Sequence, residues 1–257
     1  MNDKNAKKLE DLEEGLCYLC KSDGKMYAIP SGYIYDYFTA VSFTNIEYVE
    51  KNYDVFKNLF RATNYGVSGG QLDDIERQFL HYFVEFIKPK KIIEFSCAAG
   101  CSTVTISKAL KMQNIVPDYF ETHDIDPKCT EATKALLDGN DIKFVNIKLG
   151  DVFETMNYEN LKNADFVFID SDHRKEFCEK YAKEILPLIK SNAWVAVHDI
   201  VLRPAPNTND ESQIIKKFVL DNNIEEFFHI ADAMAILGIP NDFRPWQKNT
   251  MFFFKVK

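Results

Sequence analysis

Long apolar runs are missing from this sequence of 257 residues, and so is any excess of basic side chains. No stretch of about 18 apolar residues occurs, which argues against a membrane-spanning helix. The 31 lysines and arginines are outnumbered by 39 aspartates and glutamates, and the net charge of −8 disfavours a phosphate backbone as main partner. The charged opening MNDKNAKKLEDLEEG lacks the apolar segment of a secretory signal. We therefore expect a cytoplasmic protein that binds neither membranes nor nucleic acid.

Cysteines are too few for a disulfide framework, since only six occur in the chain. Cys17 and Cys20 form the single CxxC, and a closed zinc site would need a second pair of ligands. We interpret these two as reduced cysteines on an apolar segment. A phosphate-binding G-K-[ST] and a hydrolase G-x-S-x-G are also absent, which argues against a P-loop enzyme and a serine hydrolase.

What the sequence does contain, from Lys90 onward, is a regular alternation of strand-like and helix-like runs. The strand-like runs are residues 90–95, 118–125, 142–149, 164–170, 192–199, 225–231 and 250–257. Helix-like runs separate the first six strands, whereas only a loop with glycine and proline precedes the last one. This order predicts an α/β, Rossmann-like fold with helices on both faces of a seven-stranded, mostly parallel sheet whose last strand is antiparallel.

The first 65 residues have a different composition, with a charged opening and an aromatic stretch, KMYAIPSGYIYDYFTAVSF. We predict that residues 1–65 form a helical or irregular extension and residues 66–257 the main domain. A stretch so rich in tyrosine and phenylalanine is usually buried against another protein surface. The extension is therefore expected to cap a pocket or to build a homodimer interface.

Acidic residues stand at the carboxyl ends of five successive predicted strands. They are Glu94, Asp124 with Asp126, Asp151, Asp170 with Asp172, and Asp199. One such acid is usually the cap of the following helix. Five in succession indicate a binding site, because an open parallel sheet binds ligands beyond the carboxyl ends of its strands.

At these residues the sequence resembles the class I S-adenosylmethionine-dependent methyltransferases, and most closely their small-molecule O-methyltransferases. The motifs SGGQLDD, IIEFSCAAGCST, HDIDP, LGD, FIDSDH and VHD occur in the family's order, followed by a final strand TMFFFKV. The resemblance covers about residues 66–257. It implies methyl transfer from S-adenosylmethionine to a small-molecule substrate, most readily a hydroxyl of a sugar, a nucleotide-linked sugar or another metabolite.

The resemblance also implies roles for individual residues along the cofactor. Glu94 would orient the ammonium group, Asp124 would accept hydrogen bonds from the ribose hydroxyls, and Asp151 would accept one from the adenine amino group. Ile125 and Val152 would pack on the two faces of the adenine ring.

At the methionine end of the cofactor, the backbone of Gln71 and Leu72 would close over the ligand, and Ser102 would help to hold its carboxylate. The small residues Ser96, Ala98 and Gly100 in the loop after the first strand would bind the cofactor by letting the backbone approach it, although the family usually has glycine at the positions of Ser96 and Ala98. A positive φ angle at either position would cost on the order of 1 kcal/mol.

For the chemistry, His173 is the leading candidate for the base that removes the acceptor's proton, with Asp170 and His198 as further catalytic candidates. Asp170 is also implied in cofactor binding. Asp170, His198 and Asp199 would hold Mg²⁺ or Mn²⁺, and Asp172 could replace Asp170 as a ligand. In the metal-free alternative, Asp170 touches the cofactor's amine and His198 carries a proton.

Three alternatives remain open: a small-amine N-methyltransferase, a non-catalytic module that binds the cofactor, and an NAD-dependent dehydrogenase. The last fits poorly, because S-C-A-A-G-C has one glycine where the dinucleotide fingerprint has three. The walls of the acceptor pocket are expected in two loops, residues 200–212 and 238–249. Their anion-binding candidates are Arg203, Arg244, Trp246 and Lys248.

Overall fold

A computed structural model describes residues 17–20, 26–29, 44–59, 72, 74–200, 211–237 and 251–257. The strands are β1 (Cys17–Cys20), β2 (Met26–Ile29), β3 (Lys91–Phe95), β4 (Tyr119–Asp124), β5 (Val145–Leu149), β6 (Phe166–Ile169), β7 (Trp194–Val197), β8 (Phe227–His229) and β9 (Phe252–Lys255). The α-helices are α1 (Ile46–Lys51), α2 (Tyr53–Leu59), α3 (Asp74–Ile87), α4 (Cys101–Met112), α5 (Pro127–Gly139), α6 (Val152–Thr155), α7 (Tyr158–Lys162), α8 (Lys175–Glu184), α9 (Glu211–Asp221) and α10 (Ile230–Leu237). None of the helices in these ranges is long and apolar enough to cross a membrane.

The central sheet has seven strands in the order β5-β4-β3-β6-β7-β9-β8. The pairs from β5 to β7 are parallel, and β9 runs antiparallel to both of its neighbours. The predicted Rossmann-like fold with an antiparallel last strand is therefore confirmed. In this order the strand sequence reverses between β3 and β6, and the carboxyl ends of these two strands lie side by side.

Both faces of the sheet are buried, as a mostly parallel sheet requires. Along β3, Ile92 belongs to one hydrophobic cluster, while Ile93 and Phe95 belong to the other. The neighbouring β6 alternates in the same way, with Phe168 on the side of Ile92 and Ile169 on the opposite side. The strand ends that carry the candidate site are thus held from two sides by packed side chains.

Side-chain caps set the start of several helices. Asp126 accepts a hydrogen bond from the amide of Lys128 at 2.8 Å and begins α5. The helix-like run that follows the third predicted strand, residues 152–161, forms two short helices in the structure and not the single helix that its pattern predicts. The reason is Asn157, whose side chain accepts from two later amides and starts a new helix after an extended residue, Met156.

The prediction of a mere loop between the last two strands is also wrong. The predicted strand 225–231 is shorter, and α10 begins at Ile230, immediately after β8. Ala233 and Met234 of this helix are buried. Its sequence, IADAMAIL, has almost no polar face, so the apolar periodicity that identifies most helices was missing.

Residues 44–59, which the sequence assigns to the extension, pack on the edge strand β8. The amide of Asn45 donates to the carbonyl of Phe227 at 3.1 Å. The ring of Phe56 meets that of Phe228 edge-on, with 4.7 Å between the centroids. This segment therefore shares the core of the main sheet and covers an edge that would otherwise offer unpaired backbone groups.

Earlier in the chain, β1 and β2 form an antiparallel pair in which Cys17 lies opposite Ile29 and Cys20 opposite Met26. The charged opening of the chain lies outside the described residues, as do the side chains of both cysteines. The boundary at residue 65 and the role of residues 1–65 as a cap or dimer interface stay predictions.

Candidate active site

The loops that follow β3 and β6 meet at the carboxyl edge of the sheet, where the strand order reverses. The amide of Asp170 donates to the carbonyl of Phe95 at 3.2 Å, and the hydroxyl of Ser96 lies 3.4 Å from that of Ser171. A crevice at such a reversal is the usual ligand site of an open α/β sheet.

Glu94 lies near the end of β3, and its side chain has no contact with solvent. The hydroxyl of Thr103 donates to Oε2 at 2.6 Å, whereas Oε1 has no hydrogen-bond partner within the described part of the chain. Burial raises the pKa of Glu94 to about 7, although nearby hydroxyls, including those of Ser102 and Thr122, favour the ionised form. An unpaired buried carboxylate oxygen is costly unless a donor arrives from outside.

The loop after Glu94 carries side chains at left-handed backbone positions. Ser96 has a φ of 63° and Ala98 a φ of 43°, next to Gly100 at 83°. Each non-glycine residue in this region costs roughly 1–2 kcal/mol. The contacts of Ala98 offset this cost: its amide donates to Asp124 at 2.8 Å, and its carbonyl accepts from the hydroxyl of Thr133 at 3.1 Å.

Replacing Ala98 with glycine should therefore stabilise the protein by about 0.5–1 kcal/mol, because relief of the left-handed strain exceeds the added chain entropy. The matched change Gly100→Ala should destabilise it, since φ is again positive and the new Cβ would lie 3.0 Å from Cα of Thr133. Urea unfolding of both variants measures the two effects. Equal stabilities would contradict the strain at this loop.

Asp124 ends β4, and its carboxylate ties two loops together. Oδ2 accepts from the amide of Ala98 at 2.8 Å, and Oδ1 accepts from the amide of Asp126 at 2.9 Å. Oδ2 also contacts the thiol of Cys97 at 3.8 Å, so of about four acceptor positions one is open and a second is held only by a weak thiol donor. The side chain is 7% exposed, and Ile125 beside it is 75% exposed. The site thus offers an acceptor pair next to an uncovered apolar side chain.

At the end of β5, Asp151 caps the short helix α6 by accepting from the amide of Phe153 at 2.9 Å. The amide of Gly150 donates to the carbonyl of Asp124 at 2.8 Å, which brings this loop to the β4 loop. Val152 is buried. Capping alone is a sufficient structural reason for this aspartate, so its contact with adenine stays a prediction.

At the methionine end, Leu72 and Ser102 are both buried. Ser102 is the second residue of α4, which begins directly after the loop. Gln71 lies outside the described residues.

His198 follows β7 and connects two carboxylates across the site. Its Nδ1 lies 3.2 Å from Asp170 Oδ1, and its Nε2 lies 3.1 Å from Oε2 of Glu76, a buried residue of α3. Burial by itself would lower the pKa of His198, but the hydrogen bonds and charges of the two carboxylates raise it well above its usual value. Because each ring nitrogen has a carboxylate oxygen at hydrogen-bonding distance, the surroundings of His198 favour its charged form, in which both nitrogens donate.

His173 lies in the loop after β6 and contacts residues from two other elements. Its Nδ1 is 2.7 Å from Oε2 of Glu211, and its Nε2 is 3.5 Å from Oδ2 of Asp199. The hydrogen bond with Glu211 raises the pKa of His173, against the effect of burial. The carboxylate of Asp172 pairs with Arg174 instead.

Asp170, His173 and Asp199 form a compact group of possible metal ligands. Each offers one ligand atom, and these atoms lie within 4.8 Å of one another. The group contains two members of the predicted metal set, but His173 takes the place of His198. The ring nitrogens of His198 instead face Asp170 and the buried Glu76.

Two acids of this site, Glu76 and Glu211, were missed by the sequence analysis. Each occupies the apolar stripe of its helix: Glu76 precedes Phe79 and Leu80 by three and four residues, and Glu211 stands four residues before Ile215. A charged residue on the buried face of an amphipathic helix was the available signal.

Comparison with known proteins identifies the part of the chain that carries this site. Residues 93–200 match a family model described as a methyltransferase domain. This segment is a methyltransferase domain. The resemblance to class I S-adenosylmethionine-dependent methyltransferases is thereby confirmed for residues 93–200. A comparison with curated proteins found no match.

Solved structures share the fold of the methyltransferase domain at low identity. An O-methyltransferase from Bacillus cereus, in complex with S-adenosylhomocysteine, is 17% identical over 87% of this chain and 97% of its own, with a TM-score of 0.54. The O-methyltransferase TomG from Streptomyces achromogenes, in complex with S-adenosylmethionine, is 16% identical over 86% of this chain and 95% of its own, with a TM-score of 0.51.

The two loops in which the acceptor pocket is predicted lie largely outside the described residues. The same applies to their anion-binding candidates, Arg203, Arg244, Trp246 and Lys248.

Proposed function

We propose that the protein methylates a hydroxyl group of a small molecule, such as a sugar, a nucleotide-linked sugar or another metabolite. The observation that carries the proposal is Glu94, a buried carboxylate with one unpaired oxygen at the strand-order reversal. S-adenosylmethionine supplies a methyl group on a positively charged sulfur. The ammonium group of S-adenosylmethionine could donate a hydrogen bond to the unpaired oxygen of Glu94. The solved structures of similar fold with bound cofactor or product support the same choice.

The residues of the β4 loop fit the rest of the cofactor. Two ribose hydroxyls would take the open acceptor position of Asp124 and the one that the weak thiol donor of Cys97 holds, and the exposed side chain of Ile125 offers an apolar surface for the adenine ring. Ser96 and Ala98 are small enough for a ligand to approach the backbone of the loop. We propose that these residues bind the cofactor as the sequence predicted, with Asp151 and Val152 on the far side of the adenine.

The acceptor hydroxyl must lose a proton as it takes the methyl group, because a neutral alcohol is a weak nucleophile. His173 is the proposed base, since it lies at the same edge with Nε2 directed to Asp199. His198 is poorly suited to this role, because it is a buried charged group between Asp170 and Glu76. We propose that it positions Asp170 instead.

A divalent cation would fit the group of Asp170, His173 and Asp199. Two carboxylates and an imidazole nitrogen that face one another need a positive charge between them, which a proton on His173 or a metal ion would provide. This mixed donor set suits Mn²⁺ better than Mg²⁺, which prefers oxygen ligands. These three residues would hold the ion, and its chemistry would be to lower the pKa of the acceptor hydroxyl. His173 would then be a ligand and not the base.

Calorimetry and a labelling screen test the proposal together. S-adenosylhomocysteine should bind and NAD should not, whereas the opposite preference would contradict a methyltransferase site. A metabolite extract incubated with the enzyme and S-adenosylmethionine labelled in the methyl group should yield a labelled O-methyl product. A labelled N-methyl product would favour the small-amine alternative. Loss of labelling in EDTA, with recovery in Mn²⁺, would support the metal, and undiminished labelling would contradict it.

A further inference from the structure

The carboxylate of Glu211 is buried, and both of its oxygens are engaged. The residue is 1% exposed. Oε1 accepts a hydrogen bond from the hydroxyl of Tyr181 at 2.6 Å, and Oε2 lies 2.7 Å from Nδ1 of His173. Burying such a group is expensive, and an apolar pair of similar volume would stabilise the fold at least as well. The two contacts of Glu211 therefore indicate a functional role and not only a contribution to the stability of the fold.

The contact with Glu211 determines which nitrogen of His173 carries the proton. An ionised carboxylate only accepts hydrogen bonds, so Nδ1 must donate. In the neutral ring, Nε2 is then left with a lone pair. That nitrogen faces the site, at 3.5 Å from Oδ2 of Asp199.

The position of Glu211 itself is fixed by two helices. Glu211 is the first residue of α9, and Tyr181 belongs to α8, which begins two residues after His173. The hydroxyl of Tyr181 holds one oxygen, so that the other points to the imidazole. Burial raises the pKa of Tyr181 well above its usual value, so this hydroxyl remains a donor.

We propose that Glu211 is a positioning residue for His173, which it holds with Nδ1 protonated and the Nε2 lone pair at the carboxyl edge of the sheet. The meaning of this arrangement for catalysis rests on the proposed function. A lone pair at Nε2 is what His173 needs to accept the acceptor's proton, and it is equally what a metal ligand needs. The same carboxylate–histidine arrangement orients histidine ligands in metal sites, where removal of the outer carboxylate typically costs 10- to 100-fold in activity or metal affinity.

Nitrogen NMR of protein labelled with ¹⁵N-histidine tests the tautomer directly. Spectra are recorded in EDTA with S-adenosylhomocysteine, at a pH where His173 is neutral, and His173→Ala assigns the signals. The wild type should show a protonated Nδ1 and a bare Nε2, and Glu211→Ala should move the proton to Nε2. An unchanged tautomer in that variant would overturn the proposal.

Folding is controlled with two further variants. Glu211→Gln keeps the shape of the side chain and should weaken the tautomer preference, whereas Asp221→Asn on the same helix removes only a surface pair with Lys217 and should leave it unchanged. If Glu211→Ala does not fold, the tautomer of Glu211→Gln tests the proposal. A proton that stays fully on Nδ1 in the glutamine variant would overturn it. S-adenosylhomocysteine should bind all of these variants with wild-type affinity, and failure to bind the wild type would instead count against the proposed function.

Turnover, measured with the extract fraction that the labelling screen identifies, separates positioning from a general structural role. Glu211→Ala should lower kcat by about 10- to 100-fold. The double variant with His173→Ala should be no slower than His173→Ala alone, because Glu211 acts only through that ring. Multiplied losses in the double variant would contradict the proposal.

Discussion

Replacing Asp124 with alanine should weaken the binding of S-adenosylhomocysteine by about 100-fold or more. Hydrogen bonds to a charged group contribute about 1.5–3 kcal/mol each, and two to the ribose are lost. A second loss comes from the protein itself. Oδ2 of Asp124 holds the amide of Ala98, so the loop that approaches the methionine end would be released as well. Calorimetry on the folded variant measures the affinity.

Asp126 provides the matched control for this change. It lies two residues away, and its side chain caps α5 through the amide of Lys128. Within the described residues, this side chain makes no hydrogen bond to the loop after β3. Asp126→Ala should cost about 1 kcal/mol of stability, as the loss of a helix cap does, and leave the affinity nearly unchanged. Similar affinity losses in both variants would mean that Asp124 acts through stability and not as a ribose acceptor.

The fold could be predicted from the sequence because its signals are local and repeated. Strands β3 to β7 each show a short apolar run that ends in an acid, and a helix follows each of them. The errors arose where such signals are absent. Helix α10 has no polar face to produce a 3.6-residue period, and Asn157 interrupts a helical run through a side-chain hydrogen bond that composition does not reveal.

The candidate site was only partly predictable, for a different reason. Motif order brings Glu94, Asp124 and Asp170 to one edge, because parallel strands share a direction. Partners that come from helices distant in sequence follow no such rule. Glu76 precedes His198 by 122 residues, and Glu211 follows His173 by 38, so neither pairing could be inferred from spacing. Glu76 engages Nε2 of His198, whereas Glu211 engages Nδ1 of His173 and leaves its Nε2 at the edge of the sheet.

Glu94→Gln should stabilise the unliganded protein while it weakens the binding of S-adenosylhomocysteine. Burial raises the pKa of Glu94 from 4.5 to about 7, so the unfolded chain releases this proton more readily than the folded one. The folded state therefore loses stability as the pH rises from 4.5 to 7, and above pH 7 the full cost is about 3 kcal/mol. Glutamine has no proton to lose, and at pH 8 the variant should melt several degrees higher than the wild type. Equal melting temperatures would contradict the raised pKa.

The pH dependence of binding isolates the role of the Glu94 charge. Below pH 7 the wild-type carboxyl must lose its proton before it can accept the ammonium group, so affinity should fall by up to about tenfold for each pH unit toward 5.5. Glu94→Gln should bind about 10- to 100-fold more weakly at pH 7.5, and its affinity should be nearly flat over this range. Glu121→Gln, a buried acid on the neighbouring strand, should keep the wild-type slope. A slope that persists in Glu94→Gln would assign the titration to another group and leave the unpaired oxygen without its proposed ligand.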